Sequence, residues 1–123
     1  MQAASTEKNP CNWKLPPGVG VPVLDEWAIK GIRDTHFPGG PAANGSKGLF
    51  KDEVTNEHLQ KIFEAGMEDA APFRENKDFY YEKEFDYSEV VGFTSADSGA
   101  TPTKRVILVI SKYESVVNMF PVR

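Results

Sequence analysis

Residues 104–122 read KRVILVISKYESVVNMFPV, and this stretch decides the fold. Val106 to Ile110 form an almost unbroken apolar run of the length and β-branched character expected of a central strand buried on both faces. KYES is a tight turn, and VVNMFPV is a second, final strand, with Pro121 blunting its end because proline cannot donate to a ladder. A chain that ends in such a hairpin has an antiparallel sheet.

Upstream, SADSGATPT (95–103) is a turn cluster. DFYYEKEFDYSEVVGF (78–93) is aromatic and β-branched. Its partial alternation at Tyr81, Lys83, Phe85 and Tyr87 predicts one strand and then a shorter one. The pattern before Pro72 is helical. In VTNEHLQKIFEAGMEDA (54–70), Thr55 is a good N-cap, Glu57 sits in the first turn, and Leu59, Ile62, Phe63 and Met67 share a face. His58 falls off that stripe and reads as a solvent-facing helix residue. A shorter helix is expected over 23–33, with Leu24, Trp27, Ala28 and Ile32 on one side. Residues 1–22, rich in Pro, Gly and Asn, read as an extended lead-in or linker, with Trp13, Leu15 and Val19 available to pin part of it. Residues 23–123 form a single domain. The fold class is α+β: N-terminal helices packed on a C-terminal antiparallel sheet of three to five strands.

The composition narrows function. A length of 123 residues suits one core, and 11% aromatic residues argue against disorder. The formal charge of −4 disfavours a nonspecific nucleic-acid binder but suits either a nuclease with a local basic cleft or a small acidic inhibitor. The one cysteine, Cys11, excludes an intrachain disulfide and has no catalytic context. No apolar run is long enough to span a membrane, and the first ten residues lack the basic and apolar regions of a signal peptide. The motifs of zinc sites, P-loops, serine hydrolases and dinucleotide folds are absent.

Metal-free acid–base chemistry remains. RDTHFPGGPAANGSKGLF (33–50) sets His36 and Lys47 at the two ends of a glycine-rich loop. An imidazole titrates near neutrality and serves as base or acid. A nearby cation steadies a phosphate as charge grows on it. Those parts suffice to cleave RNA through its own 2′-hydroxyl, with no cofactor. The plainer alternatives stay open: His36 as a surface or structural residue, Lys47 as a solvated one, Arg105 as an ion-pair partner at a strand end, Phe120 as core.

The order of features resembles the C-terminal toxin domains of bacterial polymorphic toxins, including those of contact-dependent growth inhibition. Many of these belong to the barnase/EndoU/colicin/RelE-like ribonuclease superfamily, with a neighbouring RNase A-like group. The resemblance rests on a short helix, His36, the glycine-rich loop, Lys47 and Phe50, the helix at TNEHLQKIFEAG, and the closing TPTKRVILVISKYESVVNMFPV, and covers residues 24 to 123. It implies an endoribonuclease, with tRNA a candidate substrate, delivered within a larger secreted toxin to act in the target-cell cytoplasm and held in check by a cognate immunity protein. It further implies His36 as general base or acid, Lys47 as a basic site residue, Arg105 or Lys104 at the scissile phosphate, and Thr103 beside them. Asn118 and Phe120 stand where the family's ending carries Thr and Tyr. Asn118 still donates a hydrogen bond, whereas Phe120 has no acid–base chemistry. The second histidine that many EndoU-like members place near the first is missing here.

Two other functions fit the sequence. An immunity or inhibitor protein would turn the acidic EKEFDYSE (82–89) toward a basic toxin. A binding module would use Phe79, Tyr80 and Tyr81 to stack bases or line a peptide groove.

Overall fold

In the computed structural model, which describes residues 13–123, the elements run α1 (Glu26–His36), β1 (Leu49–Phe50), α2 (Asn56–Glu68), β2 (Arg74–Glu75), β3 (Tyr81–Asp86), β4 (Gly92–Phe93), a 3₁₀ turn (Ala96–Ser98), β5 (Pro102–Thr103), β6 (Arg105–Ile110) and β7 (Val116–Val122). Cys11 and the opening ten residues lie outside the described residues. The α+β class expected from the sequence is the one observed. A four-stranded antiparallel sheet has the order β2-β3-β6-β7, and a small second sheet has the order β1-β4-β5.

The apolar run of 104–111 takes the central place its composition called for. β6 lies between β3 and β7, with Leu108 opposite Lys83 on one side and Met119 on the other. Val106, Leu108 and Ile110 are fully buried on one face of the sheet, together with Phe85 and Met119. Helix α2 covers that face. Its stripe is the expected one, Leu59, Ile62, Phe63 and Met67, and Thr55 caps it by accepting from the His58 N–H at 3.1 Å. Burying a side chain such as Ile62 or Leu59 is worth about 1.5–3 kcal/mol each. Lys83 is buried among these apolar groups, but its ammonium donates to the Asp69 carbonyl at the end of α2 at 2.7 Å. That contact satisfies the charge and favours the negative end of the helix dipole.

Between β6 and β7 the register slips. Val109 pairs with Asn118 but Ile110 pairs with Val116, so Val117 is an extra residue. A bulge of this kind resets which side chains face inward. Val116 and Met119 can then both enter the core, while Asn118, Phe120 and Val122 turn to the sheet face directed away from α2.

Three expectations need correction. Trp27 is 82% exposed rather than part of the buried stripe. Helix α1 buries Ala28, Ile32 and His36, and at 3.6 residues per turn Trp27 sits about 140° from the centre of that stripe. The helix also runs three residues past the expected end at Arg33, so His36 is its last residue and not a loop residue. Part of the stretch read as loop and turn pairs as β1 and β5 on either side of β4, giving the small second sheet that the sequence did not disclose. Two-residue strands carry too little alternation to register as a pattern.

The described part of the lead-in is held to the body. Trp13, Leu15 and Val19 pack on the core, Trp13 edge-on to Phe63 at 5.7 Å, and Val23 bridges Ser115 beside the β6–β7 turn. Among the described residues no helix is long and apolar enough to cross a membrane.

Candidate functional site

His36 is placed by helix geometry. It follows Ala28 and Ile32 at four-residue spacing, so the stripe that anchors α1 also carries the imidazole inward at the helix end. Arg33 fixes that end: its guanidinium donates to the Val54 carbonyl at 2.9 Å and to Asn56 Oδ1 at 2.6 Å, and lies over the Phe37 ring at 4.3 Å. The C-terminal turn of α1 is thereby tied to the start of α2.

The chain then loops back along β7. At Gly48 a Cβ would lie 2.0 Å from the Pro121 carbonyl oxygen, so only glycine lets the backbone pass this close. The passage brings the Gly48 carbonyl to 2.9 Å from His36 Nδ1. A carbonyl only accepts, so Nδ1 carries the proton and Nε2 keeps its lone pair. Nε2 faces the Asn118 side-chain amide at 3.5 Å, a long contact, with the Asn118 carbonyl oxygen turned to the Met119 N–H. Phe120 stacks on the ring at 4.8 Å and 14° and fixes its plane. Phe120 thus lies half-buried against the imidazole rather than in the core.

His36 is only 6% exposed. Burial pulls its pKa below the ordinary imidazole value of 6.5, the Gly48 hydrogen bond opposes that shift, and the Lys47 ammonium adds to it. The resting state at neutral pH is therefore a neutral imidazole of one tautomer, its basic Nε2 facing the Asn118 amide.

His36 and Asn118 both line a cleft of about 370 Å³. Lys47 lines it, held by an N–H to the Asn44 carbonyl and by its ammonium on the Ala42 carbonyl at 2.9 Å. Ser46, Ser95 and Ser98 add hydroxyls, and Arg123 adds a second cation. Ser95 caps the 3₁₀ turn by accepting from the Ser98 N–H at 3.2 Å, so the SADSG cluster serves as a wall of the cleft. The whole chain carries a formal −4, yet no Asp or Glu side chain lines this cleft.

The structure therefore brings together His36, Lys47 and Asn118 of the residues expected from the sequence. It does not bring the others to the cleft wall. Arg105 forms ion pairs with Asp86 at 3.3 Å and Glu84 at 3.8 Å, across the β3–β6 pair. Thr103 donates its hydroxyl to the Val122 carbonyl at 2.6 Å and tethers the small sheet to β7. Lys104 is exposed, and its carbonyl accepts the Tyr87 N–H. Arg123, Ser46, Ser95 and Ser98 were missed, since isolated serines in turns and a single arginine after a strand carry no spacing signal.

His58 stays half-buried in the first turn of α2, with Nε2 at 3.5 Å from a Glu89 carboxylate oxygen and its ring 5.8 Å from Tyr87. Among the aromatics offered for stacking, Phe79 is 80% exposed at the β2–β3 turn, where it holds a positive φ of 66°. Among the described residues no group of His, Cys, Asp and Glu is positioned to hold a metal ion. Comparison of the chain with protein families, with curated proteins and with solved structures returns no match.

Proposed function

We propose that this chain is a metal-independent endoribonuclease, the toxin domain of a larger delivered protein. The observation that carries the reading is the cleft itself: a buried, neutral, tautomer-fixed imidazole beside the Lys47 and Arg123 side chains and no Asp or Glu side chain, in a chain of net negative charge. Such a cleft favours an anionic substrate, and an Nε2 lone pair met only by the long Asn118 contact suits it to remove a proton.

The mechanism follows from the geometry. His36 Nε2 takes the proton of a ribose 2′-hydroxyl. The freed oxygen attacks the adjacent phosphorus, and the bond from phosphorus to the 5′-oxygen breaks. Lys47 and Arg123 neutralise the charge that builds on the phosphoryl oxygens, and Asn118 with the serine hydroxyls orients them. Lys47 supplies the proton to the leaving 5′-oxygen. The products are a 2′,3′-cyclic phosphate and a 5′-hydroxyl. Placed in the target-cell cytoplasm, an enzyme of this kind needs a cognate immunity protein in the producing cell, and tRNA is a candidate substrate.

The test is expression from a tightly repressed promoter, wild type beside His36→Ala, with total RNA run on a gel. Arrested growth and cut RNA with the wild type, and neither with the variant, supports the reading. Intact RNA and normal growth with both removes it.

A second reading has one observation in its favour. Glu82, Glu84 and Asp86 alternate along β3 and so share the face turned away from α2, an acidic row that Arg74 and Arg105 already meet within the chain and that a basic partner would have to compete for. As an inhibitor, the chain would bind such a partner with undiminished affinity after His36→Ala.

A further inference from the structure

Next to the cleft lies a second groove of about 400 Å³ that the mechanism does not use. Its floor is the cross-strand pair of Leu49 in β1 and Phe93 in β4. Pro38, Ala96 and Ala100 also line it. The lining is mostly carbon, and Phe93, the last residue of β4, is 39% exposed.

The groove is continuous with the cleft. Lys47 and Thr94 line both, so the two spaces share these residues as a common border. A ligand with one part in each would pass its middle across an ammonium. At the rim, Asn44 spends its side-chain oxygen on Ser46, accepting from the N–H at 2.9 Å and from the hydroxyl at 2.6 Å. Its amide hydrogens are thus directed elsewhere, as donors beside an apolar slot.

We infer that this groove is a nucleobase subsite, taking the base of the nucleotide next to the cleaved bond. Phe93 is the stacking ring, and Lys47 holds the phosphate between groove and cleft. The inference rests on the ribonuclease reading and extends it to substrate selection. A flat, apolar-faced, polar-edged ligand joined to a phosphate matches a carbon-lined slot with donors at its rim and a cation at its inner end. A partner protein's apolar side chain would match the slot but has no use for the cation.

The test uses short oligonucleotides with one ribose in a deoxy background, so that one bond is cleavable. The flanking base is present or replaced by an abasic unit, on the 5′ and 3′ sides in turn. On one side, the wild type loses about tenfold to a hundredfold in kcat/KM when the base is removed, mainly through KM. Phe93→Ala shows the same loss on the intact substrate and no further loss on the abasic one. Phe93→Leu, which keeps an apolar side chain in β4, lies between and confirms that the fold persists. Equal cleavage of intact and abasic substrates by the wild type, or an unchanged KM in a folded Phe93→Ala, overturns the subsite alone. A wild type that cleaves none of these substrates nor total RNA removes the ribonuclease reading and the subsite with it.

Discussion

The chain's two histidines end up in opposite settings, one at the last turn of α1 and one at the first turn of α2. His36 is buried, its proton fixed on Nδ1 by a backbone carbonyl, its ring stacked on Phe120, and a lysine ammonium acts on its charge. His58 keeps a quarter of its side-chain surface, has a Glu89 carboxylate oxygen 3.5 Å from Nε2, and does not line the cleft. The difference is one of surroundings rather than of residue type. Burial first, and the lysine ammonium second, keep the His36 imidazole neutral at pH 7. Of the two histidines, His36 is the one that lines the cleft.

The sharpest way to break this comparison is to remove each imidazole. His36→Ala is expected to lower RNA cleavage by about 10²–10⁴-fold, the range for loss of a general base. His58→Ala is expected to leave cleavage at the wild-type level. Equal losses, read in one assay on one substrate, would end the distinction.

Lys47→Arg comes next. It keeps the positive charge but exchanges an ammonium for a guanidinium that does not deprotonate. Cleavage of a substrate with an ordinary 5′-oxygen leaving group is expected to fall, and a substrate with an activated leaving group is expected to recover most of the rate. A uniform loss on both would assign Lys47 to phosphate binding alone.

Gly48→Ala perturbs the same site through the backbone. Its Cβ meets the Pro121 carbonyl, so β7 or the loop must move, at a cost of about 1–3 kcal/mol. Thermal unfolding checks the cost. Residual folded protein is expected to show a His36 pKa closer to 6.5, because the loss of burial, the larger effect, raises it while the loss of the carbonyl partner acts the other way.

The pH dependence of stability has a definite sign. Folded His36 has a lower pKa than the unfolded side chain, whose value is near 6.5. Between the two values the unfolded chain binds a proton that the folded chain does not. The contribution of His36 is thus fully present above about pH 6.5 and is lost as pH falls through the folded value. Carboxylates act in the same direction at lower pH, so the readout is the difference between wild type and His36→Gln: the variant's midpoint of denaturation should fall less steeply below pH 6.5.

Arg105→Ala gives the smallest effect. Its ion pairs are exposed and screened, and their loss is expected to change stability by less than about 1 kcal/mol. Cleavage should stay at the wild-type level, since Arg105 does not line the cleft. A large loss of activity would return it to the site.

The long elements were legible because their patterns are long. Thirteen residues of α2 carry four stripe positions and a capping threonine, and the 105–110 run is apolar enough to announce a central strand. His36 was legible as chemistry but not as structure. Reading the helix as ending at Arg33 hid the fact that Ala28, Ile32 and His36 form one stripe, which is what buries the imidazole. Trp27 misled because a large aromatic beside Ala28 looks like an anchor, whereas the helical angle turns it outward. Arg105 and Lys104 drew attention as cations beside a strand, but register places Arg105 across from Asp86 and near Glu84, and carboxylates claim it. The cleft wall built by Ser46, Ser95, Ser98 and Arg123 comes from three separate chain segments, and only the folded sheet brings them together.

The most direct test of the account is cleavage of a defined RNA by the purified chain in EDTA, across pH 5 to 8, wild type beside His36→Ala. The account predicts 2′,3′-cyclic phosphate ends from the wild type alone, with a rate that rises through a pKa below 6.5 and then levels. Intact RNA throughout, cleavage that EDTA abolishes, or equal cleavage by the variant would contradict it.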